Sequence, residues 1–420
     1  MIKAVYVPWL HMHQPLILLK ADGKEKLISN IEKMLSSPDS GEAGNAKLMF
    51  RAYNNPAKYC NRLLKAGYKP KIMLDFSGIL LETLEKLSKD KNFVVEVHGE
   101  KIKNIIGGYK RVLDKSCIEI AGTAFSHCYF PATPEEDWIC QLEKWRNTFG
   151  RIFGKRNLNN VKGFWFPEMG IPRFEDNLSK LIKTIRKFYD WCILPLQAVK
   201  DYEQLSYEQK IQTACQPHIL KVADQSIPVI FRIPADFIDQ QAGCDVDCVD
   251  KKIKEAVEIF KEVGSKPALI VPASDGENGN VMMNEFFPNT FSPFFKSKIN
   301  NKISSMTVTE FLHEFYAKNG SIVPDSEIRL KLVGSSWVGT HKFWFEGAKR
   351  QQMMEKIHDV SKAVHRLEGE KSELEKLEHL LLIAETSCYV YWGTEFWFDQ
   401  GKKILGLIQR KIEELSKTRG

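Results

Sequence analysis

The stretch VYVPWLHMHQP (residues 5–15) has the same pattern of residue types as GFWFPEMG (163–170) and ALIVPASDGENG (268–279). In each stretch an apolar run ends at a turn that carries imidazole or carboxylate side chains. A β/α barrel displays its catalytic groups in this way, at the carboxyl ends of its strands. The three stretches therefore predict both a fold and the position of a site.

The whole chain contains seven short apolar runs that are rich in Val, Ile, Phe or Trp. None alternates cleanly between apolar and polar residues, as expected for parallel strands buried on both faces. Helix-patterned stretches separate most of the runs, which favours a closed or nearly closed (β/α) barrel. An open doubly wound sheet is the alternative, but no G-x-G-x-x-G follows the first run. The predicted strands are 4–10, 71–76, 117–122, 161–166, 191–196, 229–233 and 268–273.

The composition changes near residue 300, after which the chain carries apolar residues at mostly helical spacing. We predict a catalytic barrel over 1–310 and a C-terminal helical domain over 311–420 that contributes to the active-site cleft. Two segments rich in Trp and Gly, 334–347 and 388–401, interrupt the helical pattern. Both are expected to face the cleft.

Composition and charge exclude several classes of protein. The 420 residues are 43% hydrophobic and 27% charged, and no apolar run reaches the length of about 18 residues needed to span a membrane. Nine cysteines without a C-x-x-C pair indicate reduced thiols. The net charge of +7 comes from helix-patterned stretches in which acids and bases interleave, so no nucleic-acid-binding stripe is apparent. We expect a cytoplasmic protein with no nucleic-acid or membrane partner, and the oligomeric state is left open.

Two acids, Glu168 and Asp275, directly follow predicted strands. Hydrolysis of a glycosidic bond needs one carboxylate at the anomeric centre and one carboxyl group that protonates the leaving oxygen. Either acid alone could equally cap a helix, but their positions at corresponding strand ends favour catalysis. Glu277 competes with Asp275 in the same turn. We prefer Asp275 because it lies nearer the strand. Glu277 is expected to bind substrate, or else to serve as a hydrogen-bond partner or as an acid in the first turn of a helix.

His11 and His13 lie two residues apart on an extended segment, so they point the same way. Followed by Gln14, they suggest donors that hold sugar hydroxyls, and His127 after the third strand could join them. Two histidines could instead bind a metal ion, but no metal-binding motif strengthens that alternative, and we predict no metal.

Tryptophans recur in the segments that are expected to form the cleft. An indole ring can stack on the apolar face of a sugar while its N–H reaches a hydroxyl group. We expect about half of these residues to lie in the core, with Trp337 and Trp392 the better candidates for substrate contact because glycines flank them. The set comprises Trp165, Trp337, Trp344, Trp392 and Trp397.

Together these motifs resemble glycoside hydrolase family 57, the retaining α-glucan enzymes that include α-amylases, 4-α-glucanotransferases, branching enzymes and amylopullulanases. HQP at 13–15 and GTAFSHCYFP at 122–131 are similar to the family's first and second regions. GFWFPEMG and SDGENG (274–279) are similar to the third and fourth, and 384–401 to the fifth. The segment 334–347 resembles the one that lines the sugar subsites in the amylase and pullulanase branch.

The resemblance implies an incomplete seven-stranded (β/α)7 barrel closed by a C-terminal helical domain. It also implies double displacement on α-1,4-linked glucans or maltooligosaccharides, with Glu168 as nucleophile, Asp275 as acid/base and no cofactor. Whether water or a second sugar accepts the glycosyl group is left open. The alternatives are a metal-dependent carbohydrate deacetylase or mannosidase-like hydrolase, and a non-catalytic glucan-binding homologue.

Overall fold

The computed structural model describes residues 1–21 and 23–417, which form a mixed α/β fold with parallel sheets. Its strands are β1 Ala4–Tyr6, β2 Trp9–Met12, β3 Leu16–Ala21, β4 Lys24–Ser29, β5 Ile72–Phe76, β6 Val95–Val97, β7 Glu100–Ile102, β8 Ile118–Ile120, β9 Gly163–Trp165, β10 Trp191–Pro195, β11 His218–Val222, β12 Gln225–Arg232, β13 Ala268–Ile270, β14 Ala273–Asp275, β15 Ile303–Ser304, β16 Ala317–Lys318, β17 Ser321–Ile322 and β18 Glu327–Ile328.

Helices follow most of these strands, and the last part of the chain is mainly helical. They are α1 Asn30–Leu35, α2 Ser40–Lys65, α3 Gly78–Lys89, α4 Ile105–Leu113, α5 Glu135–Phe153, α6 Lys155–Asn159, α7 Glu175–Ile185, α8 Tyr207–Ala214, α9 Val246–Phe260, α10 Ser292–Ser297, α11 Val308–Tyr316, α12 Lys342–Phe345, α13 Ala348–His365, α14 Lys371–Ala384, α15 Cys388–Tyr391 and α16 Glu395–Lys417. A π-helix spans Val281–Phe291, and 3₁₀ turns span Pro167–Met169, Leu196–Ala198 and Tyr202–Gln204.

The central strands run parallel, as the apolar runs predict. One sheet has the order β14-β2-β5-β8, and a second contains β12-β10-β9. A bridge between Gly122 and Phe164 joins β8 to β9. On the other side, the Ile233 N–H donates a 3.0 Å hydrogen bond to the Val271 carbonyl, which joins the end of β12 to the β13–β14 segment.

Two predicted strands are each divided by a proline. Pro8 separates β1 from β2 and Pro272 separates β13 from β14. Proline has no N–H to donate to a sheet ladder. The two strands stay aligned through other bonds, because the Val7 N–H donates to Ile270 and the Trp9 N–H donates to Pro272.

Helices α13, α14 and α16 pack against one another, and α14 also contacts α5. The antiparallel hairpin β3–β4, which the sequence analysis did not predict, packs on α16. There the Leu18 N–H donates a 2.8 Å hydrogen bond to Gln400, and Arg410 Nη2 donates to both carboxylate oxygens of Glu25. Within residues 1–21 and 23–417, no helix is both long and apolar enough to cross a membrane.

The expectation that all nine cysteines are reduced is wrong for one pair. Cys244 and Cys248 form a disulfide, with Cα atoms 5.4 Å apart. The spacing C-x-x-x-C is not a redox or zinc motif. Cys244 lies just before Asp245, the N-cap of α9, and Cys248 lies in the first turn of that helix, so the start of the helix brings the two residues together.

Candidate active site

Three neighbouring parallel strands carry polar side chains at one level. Asp275 at the end of β14 pairs in register with His11 of β2, which pairs with Asp75 of β5. Register partners in a parallel sheet point to the same face. This row places the imidazole between two carboxyl side chains at the carboxyl ends of the strands.

Asp75 is completely buried and anchors the row. Its Oδ1 accepts a 2.8 Å hydrogen bond from the Trp9 indole N–H, and its Oδ2 lies 2.5 Å from His11 Nδ1. Burial alone would lower the pKa of His11. The negative charges of Asp75 and, at longer range, Asp275 and Glu277 outweigh burial and raise that pKa to about 9.

Four rings form a continuous stack beside this row. His11 stacks on Trp165 at 5.3 Å between centroids and on His127 at 4.6 Å, and His127 stacks on His13 at 4.3 Å. The outer ring is fixed by a 2.8 Å hydrogen bond between His13 Nδ1 and the Ser77 hydroxyl. Burial is the main cause that lowers the pKa values of His13 and His127 well below the ordinary value, and repulsion between neighbouring imidazoles of the stack acts in the same direction. The stack therefore holds one charged and two neutral imidazoles.

Glu168 lies on a strained turn after β9. Its φ of 56° and the φ of 47° at Met169 are in the left-handed region, which costs about 1–2 kcal/mol for each non-glycine residue. The Trp337 N–H holds the turn by donating a 2.9 Å hydrogen bond to the Glu168 carbonyl. The Ser387 hydroxyl donates to Glu168 Oε1 at 2.7 Å, and His127 Nδ1 lies 3.7 Å from that oxygen.

The protonation of Glu168 is set by opposing effects. Burial is the largest and raises the pKa of its carboxyl group to about 7, and the negative charge of Asp275 acts in the same direction. The Ser387 hydrogen bond and the positive charge of His11 limit the rise in this pKa because both stabilise the carboxylate.

Asp275 and Glu277 differ in their surroundings although they share one turn. Asp275 is half-buried, and its Oδ2 accepts a 2.8 Å hydrogen bond from the Asn278 side chain. Glu277 is buried, and its Oε1 accepts a 2.9 Å hydrogen bond from the His13 backbone N–H. Burial raises the pKa of Glu277 well above the ordinary value, and the positive charge of His11 opposes this rise.

These groups line a cleft of about 530 Å³. Several buried polar atoms on its wall have no hydrogen-bond partner within the described part of the chain, and buried polar groups normally have one. The arrangement suits a ligand with many hydroxyl groups. The unpaired atoms are His11 Nε2, Gln14 Oε1, both ring nitrogens of His127, Trp165 Nε1 and Glu277 Oε2.

The structure brings most of the proposed site residues together. The predicted residues that line this cleft are His11, His13, Gln14, His127, Trp165, Glu168, Asp275, Glu277, Trp337, Trp392 and Trp397. Trp337 is 40% exposed and Trp392 is 55% exposed. Across residues 1–21 and 23–417, no group of three or more His, Cys, Asp or Glu side chains is arranged to hold a metal ion.

Trp344 is the exception, and the expectation that it contacts substrate is wrong. It is fully buried and stacks on Tyr129 with centroids 3.9 Å apart. Its indole N–H donates a 3.0 Å hydrogen bond to the Ser387 hydroxyl, which itself donates to Glu168. Trp344 lies on α12, which packs against α15. It is connected to Glu168 indirectly, through the Ser387 hydroxyl.

Sequence reasoning missed several residues of the site. Asp75 is the next-to-last residue of the predicted strand KIMLDF, and an acid at this position in an apolar run could have indicated a site residue. Ser387 lies in the segment 384–401, but nothing in the sequence around it indicated a role in the site. Arg232 and Tyr391 also line the cleft.

No curated protein matches this sequence. The model of glycosyl hydrolase family 57 matches residues 7–194, a segment that includes His11, His127 and Glu168. Over those residues, the chain is similar to glycosyl hydrolase family 57. Asp275 lies beyond the matched segment.

Solved structures of family 57 enzymes share the fold. A branching enzyme from Pyrococcus horikoshii superposes with a TM-score of 0.66 at 16% identity, covering 97% of this chain and 88% of its own. An exo-type maltose-forming amylase from Pyrococcus sp. ST04 gives 0.67 at 14% identity, covering 99% and 80%. A 4-alpha-glucanotransferase from Thermococcus litoralis gives 0.64 at 17% identity and covers 98% of this chain, which spans only 60% of that enzyme. At these identities the likeness establishes the fold alone.

Proposed function

We propose that this chain is a retaining glycoside hydrolase or transglycosylase that acts on α-1,4-linked glucans by double displacement. The observation that carries the proposal is that Glu168 and Asp275, which end two parallel strands, line the same cleft. The match to the family 57 model and the fold shared with glucan-active enzymes support it. Retention requires the two carboxyl groups about 5 to 5.5 Å apart in the substrate complex.

Glu168 is the proposed nucleophile. As a carboxylate it attacks the anomeric carbon and forms a covalent glycosyl intermediate while the leaving oxygen departs. The Ser387 hydroxyl and the positive charge of His11 favour this ionised form. The left-handed turn fixes its backbone before substrate arrives, which is the kind of preorganisation a nucleophile needs.

Asp275 is the proposed acid/base. It donates its proton to the departing oxygen and then removes a proton from water or from an acceptor hydroxyl. Its half-buried position leaves the carboxyl group accessible from the cleft, whereas Glu277 behind it is buried and bonded to the backbone. Glu277 therefore suits substrate binding through Oε2 better than proton transfer.

The remaining cleft residues suit a glucan. Trp337 and Trp392 offer exposed rings for stacking on sugar faces. His11, Gln14, His127 and Trp165 supply unpaired polar atoms for hydroxyl groups, as judged within residues 1–21 and 23–417.

We further infer that the parallel strands close into an incomplete (β/α)7 barrel. The Gly122–Phe164 bridge and the Ile233–Val271 hydrogen bond support closure, since they link the two sheets on both sides. The division into a barrel over 1–310 and a helical domain over 311–420 is part of this proposal. We also propose a cytoplasmic location for this protein.

Product analysis after incubation with maltoheptaose tests the function. Shorter products alone indicate hydrolysis, and shorter with longer products indicate glucan transfer. Glu168→Gln should lower kcat by about 1,000-fold or more while maltooligosaccharide binding remains. Glu203→Gln, at an exposed glutamate paired with Lys331, is the matched control and should retain activity. Activity abolished by a chelator would instead favour a metal-dependent hydrolase, and binding without products would favour a non-catalytic homologue.

A further inference from the structure

Asp75 is a buried carboxylate that the scheme above does not use. It does not line the cleft, and both of its oxygens are engaged: Oδ1 by the Trp9 indole N–H and Oδ2 by His11 Nδ1. The two hydrogen bonds fix the direction of the carboxylate. Asp75 can therefore act on substrate only through His11.

The His11 ring is held on every side. Asp75 fixes one edge, and Trp165 and His127 cover the two faces, with Trp165 only 6° from parallel. Because Nδ1 is occupied, Nε2 is the polar atom left for substrate. Nε2 is buried and has no partner within 1–21 and 23–417, and His11 lines the cleft. A sugar oxygen is the type of group that this N–H would bind.

The three stacked histidines differ mainly in their partners. His13 bonds to a neutral hydroxyl group and His127 has no bonded partner among the described residues, whereas His11 bonds to a carboxylate. The acidic groups that face His11 are Asp75, Asp275, Glu277 and Glu168. Burial lowers the pKa values of His13 and His127, but the carboxylates raise the pKa of His11 to about 9.

We propose that Asp75 is a positioning residue that holds His11 as an imidazolium, so that a fixed positive charge faces Glu168 and one N–H faces the substrate. The proposal rests on the proposed function, because it assigns the charge a purpose in keeping the nucleophile ionised. It extends that function by making a buried residue outside the cleft a determinant of the pH range of activity.

Histidine NMR of the wild-type protein tests the pairing without any activity assay. The ring signals of His11 are assigned by their loss in His11→Gln. They should show both nitrogens protonated at neutral pH and titrate near 9. A His11 that titrates at or below the ordinary value of 6.5 would overturn the proposal, even if Asp75 variants fail to fold.

Asp75→Asn keeps the side-chain shape and removes the charge. His11 should become neutral at pH 7, and the acid limb of kcat/KM on maltooligosaccharides should move up by about one pH unit, since Glu168 loses a facing cation. Glu119→Gln is the matched control. This carboxylate is also buried, lies on the adjacent strand β8 and accepts a 2.6 Å hydrogen bond from Thr309 instead of from a histidine. Glu119→Gln should leave both the His11 titration and the acid limb of kcat/KM unchanged.

The outcomes separate the two proposals. An active wild-type enzyme whose Asp75→Asn variant keeps a protonated His11 and an unmoved acid limb contradicts the role of Asp75 and leaves the proposed function intact. A wild-type protein without glucan activity contradicts the proposed function, and the histidine titration still decides whether Asp75 holds His11 charged.

Discussion

The Ser387 hydroxyl donates a 2.7 Å hydrogen bond to Glu168 Oε1 across 219 positions of sequence. The donor lies just before α15, and the acceptor lies on the turn after β9. The C-terminal region therefore contributes directly to the protonation state of the proposed nucleophile, Glu168.

Removal of this hydrogen bond should shift the pH dependence of activity. Glu168 must be ionised to attack, and its pKa of about 7 predicts that kcat/KM falls as the pH drops below about 7. Because the Ser387 hydroxyl stabilises the carboxylate, Ser387→Ala should raise this pKa and move the acid limb up by about one pH unit. Ser372→Ala, at an exposed serine bonded to Glu370, serves as control. An acid limb that stays in place in Ser387→Ala would show that the hydroxyl does not act on Glu168.

Two tryptophans from the segments rich in Trp and Gly, Trp344 and Trp392, should behave differently when they are replaced. Trp344→Ala removes a fully buried ring and should lower the free energy of unfolding by about 3–5 kcal/mol. Trp392→Ala removes a ring that is 55% exposed, so its free energy of unfolding should change by only about 0.5 kcal/mol. The loss of a stacking surface should instead raise KM for maltooligosaccharides by about tenfold. Urea unfolding and steady-state kinetics measure the two effects, and a reversed pattern would contradict these placements.

Glu385 should make the protein less stable as the pH rises. It is buried, its Oε2 accepts a 2.7 Å hydrogen bond from Gln141, and burial together with the nearby Asp137 raises its pKa well above the ordinary value. The folded state therefore binds a proton that the unfolded state releases above about pH 4.5. Stability from this group is complete below that pH and is lost by up to about 1.4 kcal/mol per pH unit until the folded pKa is reached.

Glu385→Gln tests this linkage because the amide cannot ionise. Relative to wild type, the variant should gain stability between mildly acidic and alkaline pH, as followed by urea unfolding at several pH values. Exposed Glu375→Gln should show no such gain. A difference between Glu385→Gln and wild type that does not vary with pH would mean that Glu385 is already ionised in the folded protein.

The parallel strands and the residues at their ends could largely be predicted because short stretches of sequence specify them. Parallel strands buried on both faces are apolar runs, and the side chain that follows such a run lies at the carboxyl end of the sheet. This is why the sequence alone could place Glu168, Asp275 and His11 at strand ends that line one cleft. The prolines at 8 and 272 divided two of the strands without moving those strand ends.

Other features depend on relations that the local sequence does not contain. The Asp75–His11 pair follows from the register between β2 and β5, and Ser387 reaches Glu168 only through the packing of the C-terminal helices. Trp344 was misjudged because its place in a segment rich in Trp and Gly does not show which face of a short helix is covered. The strain at Glu168 likewise emerges only from the backbone, since Glu is not a residue that favours positive φ.

Mass spectrometry of a trapped intermediate tests the central claim most directly. A fluorinated maltosyl fluoride reacts in the first step and leaves the enzyme slowly in the second, so the covalent glycosyl group accumulates on the nucleophile. The account predicts a single added glycosyl mass on the peptide that contains GFWFPEMG, located at Glu168. A label on Asp275 or Glu277, or substrate turnover without any covalent adduct, would contradict it.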